Sequence, residues 1–472
     1  TASATLVGFL YSFAMVRGRF PLKPVFRALA ILPLMSPPFI VALSYILLFG
    51  GRGLVTYHLL GKTYNIYGWH GLWLVQTISF FPYAYLVIES VIARLNPTLE
   101  YAAKGMGASD WEIFRTVIWP LARPGIANAA LLVAINVLAD FGNPIMIAGQ
   151  FAVLPTEAYM QISGWYDLPA AAVLCTILLV PALVFFIAQN YWIGRRSYVT
   201  VTGRGSTIAA PPLAGIGNAA LFAFCCLVGL IIASVYGVLA AGAFTRAWGA
   251  DWRISLEHWD YVIFRGREVY NSFLYSLLAA ACGAVLSILA AYLLQRKDFP
   301  ARRVLDFTAT LPAAVPGIFL GLGYLLSFNN LPLKLTGTAA IIILAFIFWN
   351  LPNGYRAGVS SLQQVDRSIE EAAASLGASS MKTFKDVVLP LLRAPFSAAF
   401  AVTFVRSITA LSVVIFIVSP RRTVATISIL GLVEQGYWGR AAAYTTALIV
   451  AAFAILGVTS LVSRQSRSIF QV

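Results

Sequence analysis

The residues able to do chemistry are few in this chain of 472, and their placement says more than their number. Asp140 falls inside an apolar run, with Asn136 one helical turn before it and Asn143 three positions after, a spacing that puts the three near one helix face. A second apolar run holds Arg406, Ser407, Thr409 and Ser412. Ionisable groups at membrane depth are costly, so they mark either a pathway or a structural pair. Both readings stay open. Asp140 and Arg406 form a charge pair, or they line a route in which the oxygens of Asp140, Asn136, Asn143, Ser407 and Thr409 suit a hard cation. Arg406 suits an anion better, or an anion travelling with a metal.

The other reactive types lead nowhere. Gly61–Lys62–Thr63 ends like a phosphate loop, but Thr56 stands where its first glycine belongs. His58, His70 and His258 are scattered without a Cys or carboxylate at ligand spacing and read as surface histidines. Cys175, Cys225, Cys226 and Cys282 sit in apolar runs and read as inert buried thiols. No nucleophile lies beside a base. No catalytic residue and no firm metal ligand is assigned.

The elements that must position these groups are membrane helices. The chain is 60% hydrophobic and 11% charged, whereas a soluble domain carries about 25% charged residues. Its apolar runs repeatedly reach the roughly 20 residues that span a bilayer as helix. They fall near 28–49, 68–93, 125–148, 168–193, 217–243, 270–294, 304–327, 337–360, 395–418 and 440–463, and residues 1–16 are part of an eleventh. The net charge of +15 sits mainly in short loops between runs, which points to orientation in a lipid bilayer rather than to nucleic acid. The basic loops, including those around 17–27, 94–123, 296–303 and 356–393, are then cytoplasmic. Residues 17–21 align with 296–300, so the first half reads as shortened at its amino end. Proline-rich runs at 32–38 and 311–317 read as bends that let helices pack.

Two polar interruptions repeat. EYAAKGMGASDWEIFRTVIWP at 100–120 and EEAAASLGASSMKTFKDVVLP at 370–390 superimpose without a gap at an offset of 270, Gly107 on Gly377. One structural unit is built twice. In the second copy Ser368 is expected as an N-cap with Glu371 closing a capping box. Ala372 and Ala373 give a small face, and Gly377 allows the positive φ that ends the helix. Glu100, Ala102, Ala103 and Gly107 run the same way in the first copy. The expected product is a short helix on the cytoplasmic side, joined to two spans.

The pattern E-A-A-x3-G-x9-I-x-L-P resembles the signature of permease subunits of binding-protein-dependent ABC importers. Glu371, Ala372, Ala373, Gly377, Leu389 and Pro390 match it, with Val387 at the Ile position. The first copy departs at Tyr101, with Glu100 one step early, and at Trp119. The resemblance implies a coupling helix in each copy that docks on a nucleotide-binding subunit, carried by Glu100, Ala102, Ala103, Gly107, Glu370, Glu371, Ala372, Ala373 and Gly377. It implies an all-α polytopic membrane fold of two tandem permease domains of about six helices each. These are residues 1–194, with a coupling segment at about 95–124, and residues 217–472, with one at about 365–394, joined by a linker at 195–216.

The tandem fusion is similar to the ferric iron permeases and their relatives for thiamine, phosphonates and phosphorylated sugars. The passages at 139–144, 153–157 and 194–203 are most similar to the ferric iron group. The resemblance further implies a permease in a bacterial inner membrane that binds no cofactor itself. Its partners are two copies of an ABC ATPase, which hold ATP and Mg, and a periplasmic substrate-binding protein. The implied cargo is ferric iron, with a phosphonate, sugar phosphate, thiamine or polyamine as alternatives. An ion-coupled secondary transporter is the competing class, but it calls for inverted repeats, and these two copies run in the same sense. A passive channel leaves the paired polar helices unexplained.

Overall fold

The computed structural model describes residues 1–189 and 215–463. The passage at 194–203 and the linker up to residue 214 lie outside the described residues, as does the chain after residue 463.

Through the first half, α1 (Ala2–Arg17), α2 (Lys23–Ile31), α3 (Ile40–Phe49) and α4 (Trp69–Ala93) lead to a polar stretch of α5 (Pro97–Gly105) and α6 (Asp110–Ile113). The chain returns through α7 (Trp119–Leu138), α8 (Gly142–Ile147), α9 (Leu154–Ser163) and α10 (Leu168–Ile187), followed by α11 (Gly215–Phe244). After a short hairpin and α12 (Glu257–Arg265) the order repeats: α13 (Arg267–Arg296), α14 (Arg302–Thr310), α15 (Gly317–Phe328) and α16 (Ala339–Gln364). Then come α17 (Ser368–Ser375), α18 (Ser380–Thr383), α19 (Leu389–Leu391), α20 (Arg393–Ile408), α21 (Ala425–Glu434) and α22 (Trp438–Ser463). The copies agree in detail. Both α7 and α20 stop at residues 270 apart, Leu138 and Ile408. Leu22 and Ala301, each just before its helix, take the left-handed conformation at φ 63° and 67°, a strained choice for side chains with a Cβ. A wide π turn, Phe114–Ile118 and Phe384–Val388, follows the short polar helix in each copy.

One extensive crossing holds each half together, α1 on α4 in the first and α13 on α16 in the second. Both depend on small residues that let backbones approach, the usual device of helix pairs in lipid. A Cβ on Gly8 would lie 2.6 Å from Ala84 Cβ and 2.8 Å from Tyr85 N. In the second half the glycine sits on the other helix: a Cβ on Gly354 would lie 2.6 Å from Ser287 Cβ.

The all-α membrane fold built twice is as expected, and the spans differ from the sequence expectation in their bounds and breaks. Among the described residues seven helices are long and apolar enough to cross a membrane, or up to nine if each of two bent pairs is one span, against eleven expected. Proline accounts for much of the difference, since it lacks an N–H and clashes with the preceding turn. The run near 28–49 breaks at Pro33, Pro37 and Pro38, and its span is Ile40–Leu59 instead. The run at 304–327 becomes Arg302–Ala313 and Gly317–Phe328, bent by 113° beside Pro316. These are sharper than packing bends. The runs at 125–148 and 395–418 also break, after Leu138 and Ile408. α16 has 26 residues, about 39 Å of helix, but Asn350, Asn353 and Arg356 make its second half polar.

The described residues separate into two compact units that divide between Trp252 and Arg253, apart from Met35–Pro37, which group with the second. α11 therefore belongs with the first unit. It packs on α1, α2 and α3, Ser44 Oγ donates to the carbonyl of Val235 at 2.8 Å, and Asn218 bonds both backbone groups of Arg19. Cys175 and Cys225 are buried as expected, but Cys226 and Cys282 are exposed on the outsides of their helices. His258, expected at the surface, is buried, with its ring against Gly439.

Candidate functional site

In the second unit the polar segment begins with Asp366, whose Oδ1 accepts the backbone N–H of Ser368 at 2.9 Å. That bond, and one from the Ser368 side chain, hold the Asp366 carboxyl below the usual carboxylate range. Ser368 is the first residue of α17 and not its cap, Arg367 being the N-cap without a side-chain bond. The expected Ser368–Glu371 capping box is therefore absent. A carboxylate suits the positive end of the helix and has taken the role. The capping box appears instead in the first unit, one helix later: Ser109 Oγ accepts the Glu112 N–H at 3.3 Å and Glu112 Oε2 accepts the Ser109 N–H at 2.7 Å. In that unit Asn96 caps α5 by accepting the Thr98 N–H at 3.1 Å.

Successive helix residues point about 100° apart, so the two adjacent glutamates face different ways. Glu370 turns inward, its Oε1 2.7 Å from Arg296 Nε in an ion pair. Glu371 is exposed. The first unit repeats this arrangement. Glu100 is buried against Arg17 and hydrogen bonded to its Nη2, and Tyr101 is exposed. Burial pushes the Glu100 carboxyl up while Arg17 pulls it back. Removing one member of a buried pair typically costs about 3–5 kcal/mol, because the other charge is left uncompensated. Sequence reasoning missed both arginines. They were visible as aligned residues at the ends of apolar runs, but basic residues at such ends are explained well enough by orientation in the bilayer.

Ala102, Ala372 and Glu371 lie on the outer face, while Ala103 is buried and Ala373 half-buried. Gly107 and Gly377 have φ of 85° and 83° with open space around them, so each glycine is there for the turn and not for room. The outer face also carries matched apolar side chains. Met106 and Leu376 are 83% and 88% exposed, and Trp111 and Met381 67% and 74%. Exposed apolar side chains grouped beside a polar helix mark an interaction surface.

The membrane-depth groups sit where the helices break. Asp140 follows the end of α7 and is buried. Its Oδ2 accepts from Gln76 Nε2 at 2.9 Å and from Asn143 Nδ2 at 3.0 Å, and its Oδ1 from the Asn143 N–H at 3.3 Å. Asn143 Oδ1 is buried without a partner. Asn136 does not share this cluster as its spacing suggested. Its Nδ2 donates to the carbonyl of Leu132, one turn back on its own helix, and the break after Leu138 ends the face the three would have shared. In the second unit the guanidinium of Arg406 lies 4.9 Å from the centre of the Trp349 ring, a cation–π contact. Ser407 Oγ accepts from Asn350 Nδ2 at 3.3 Å, and Thr409 Oγ1 donates to the carbonyl of Val405 at 2.8 Å. Gln76 and Asn350 were missed from sequence. Gln76 is a lone amide in an apolar run, and Asn350 is the first of several polar residues toward the end of α16, which read as the polar end of a span.

Comparison with known proteins bears on both features. The family model described as binding-protein-dependent transport system inner membrane component matches residues 4–198 and again 283–468. The chain is 36% identical over 468 residues to the ferric transport system permease protein FbpB of Actinobacillus pleuropneumoniae, covering 94% of this chain and 67% of that one. It is 35% identical over 428 residues to a putative ferric transport system permease protein of Haemophilus influenzae, covering 86% and 67%. Over 197 residues it is 29% identical to the molybdenum transport system permease protein ModB of Escherichia coli, 40% of this chain but 85% of that one. That relative thus aligns over most of its own length with less than half of this chain.

Proposed function

The chain belongs to the binding-protein-dependent transport system inner membrane components, and from that premise we propose that it is the membrane subunit of an ATP-driven importer for ferric iron. It is a multi-pass protein of the bacterial inner membrane, and it works with a substrate-binding protein and an ATPase. The observation that carries the reading is the doubled polar segment. Each copy has its glutamate held by an arginine, its glycine in the left-handed turn and its apolar side chains turned outward. One chain offers two docking helices and so takes two ATPase subunits, which bind the ATP and Mg. Its own residues dock, position and conduct.

Ferric iron as the cargo is supported by the two relatives named for ferric transport, similar over most of this chain. The Asp140 cluster adds a physical argument, since carboxylate and amide oxygens are what a hard cation takes. Asp140, Asn136 and Asn143 in the first unit and Arg406, Ser407 and Thr409 in the second are the candidate pathway residues, each argued from its own unit. Arg406 is the group that favours an anion.

The test is uptake into vesicles containing the complex and its binding protein, with radiolabelled iron and with a phosphorylated competitor. ATP-dependent iron uptake that falls several-fold in Asp140→Asn is expected. Uptake of the phosphorylated compound without iron, abolished by Arg406→Ala but not by Asp140→Asn, would overturn the iron reading and leave the importer reading standing.

A further inference from the structure

We propose that Arg17 and Arg296 are positioning residues for energy coupling: each locks the docking helix of its half to the end of a membrane helix and transmits that helix's displacement into it. The inference deepens the importer reading and rests on it. The pairs Arg17–Glu100 and Arg296–Glu370 are equivalent, but the two arginines are 279 positions apart and the two glutamates 270. The difference arises in the loop between α3 and α4, which is longer than its counterpart between α15 and α16. The ion pair has the same place in both halves although the chain between its members differs in length.

Both pairs are shielded, with side-chain exposures of 2% and 4% in the first unit and 9% and 18% in the second. Exposed ion pairs are screened and hold little, and these are not exposed. Arg296 does more than pair. It closes α13, and its Nη2 donates to the carbonyls of Leu362 at 3.1 Å and Val365 at 2.8 Å. Those carbonyls belong to the last turn of α16 and the residue after it, where helix carbonyls lack partners of their own. One side chain therefore ties the end of α13, the end of α16 and the first turn of α17. Arg367 adds a bond back to the carbonyl of Gln295 at 3.0 Å.

Helix geometry sets the mechanical consequence. Glu370 fixes the inner face of α17, and Glu371 on the next position leaves the outer face free for the ATPase. A displacement applied to that outer face has to drag or tilt the end of α13. α13 packs along α16 and α20, and Arg406 lies on α20. The same chain of contacts in the first unit runs from α5 through Arg17 to α1, which packs on α4 and α7.

The experiment compares the complete complex in liposomes, with ATPase and binding protein, carrying Arg296→Glu, Glu370→Arg or both, alongside Arg296→Lys. The readout is substrate taken up per ATP hydrolysed, which a staple that only stabilises the fold leaves unchanged. Each single reversal is expected to lower that ratio several-fold, and the double reversal to restore only the part that the ion pair carries, since a glutamate at 296 cannot donate to the carbonyls of Leu362 and Val365. Should the single variants fail to assemble, the double reversal and Arg296→Lys decide alone: a recovered complex with a lowered ratio in the lysine variant supports the proposal. A ratio equal to that of the unaltered chain in every assembled variant, or a double reversal no better than the worse single one, overturns it. If the unaltered chain holds no ATPase at all, the importer reading itself falls, and that is seen before any variant is made.

Discussion

Glu370 and Glu371 are neighbours in sequence with opposite tasks, one closing an ion pair within the protein and one facing outward. The sequence showed two acids at the start of a helix and could not say which turned in, because the arginine that decides it lies 74 positions away, at Arg296 for Glu370. The same is true of Glu100, which matched the family pattern one place early and proves to be the equivalent of the inward residue. Gly8 and Gly354 make a second case, where the missing side chain is the functional feature. Replacing Gly8 with Val puts a Cβ against Ala84 Cβ and the backbone of Tyr85. Overpacking of this kind costs about 1–3 kcal/mol. A lower unfolding temperature in detergent, with the larger loss in Gly8→Val than in Gly8→Ala, is the expected result. Equal stability of Gly8→Val and the unaltered chain would mean that α1 and α4 do not cross as closely as described.

The elements were legible in kind but not in their breaks. Apolar runs of spanning length announced helices, and the duplicated motif announced a polar helix in each half. The breaks just after Leu138 and Ile408, and the π turns at Phe114–Ile118 and Phe384–Val388, have no proline or glycine at the break itself to announce them. The prolines at 33, 37 and 38 and at 312 and 316 were seen, but their effect was underestimated, because a single proline bends a helix where two or three within about two turns end it. At this scale the turn at Gly377 is the clearest lever. Its φ of 83° has open space around it, so Gly377→Val acts through backbone strain of about 1–2 kcal/mol and not through a clash. Loss of binding-protein-stimulated ATP hydrolysis is expected in Gly377→Val. Gly377→Asn should retain more of it, since asparagine tolerates the left-handed region. Valine and asparagine variants that both stimulate normally would remove the turn from the coupling mechanism.

At the scale of the whole molecule, the repeat was the most informative part of the sequence, and it predicted most of the element order of each half. It could not place the division between the compact units. The glycine- and proline-rich stretch at 195–216 reads as a linker, but α11 beyond it packs with the first unit. Packing partners of an apolar helix are set by shape, which composition does not record. The duplication carries the stoichiometry we propose: one docking helix in each half, so that a single chain takes the place of two separate permease subunits. Native mass spectrometry of the purified complex measures this directly. Two ATPase subunits are predicted for each copy of this chain, with a variant carrying a β-branched residue at both Gly107 and Gly377 losing them. A fully transporting complex with one ATPase per chain would contradict it.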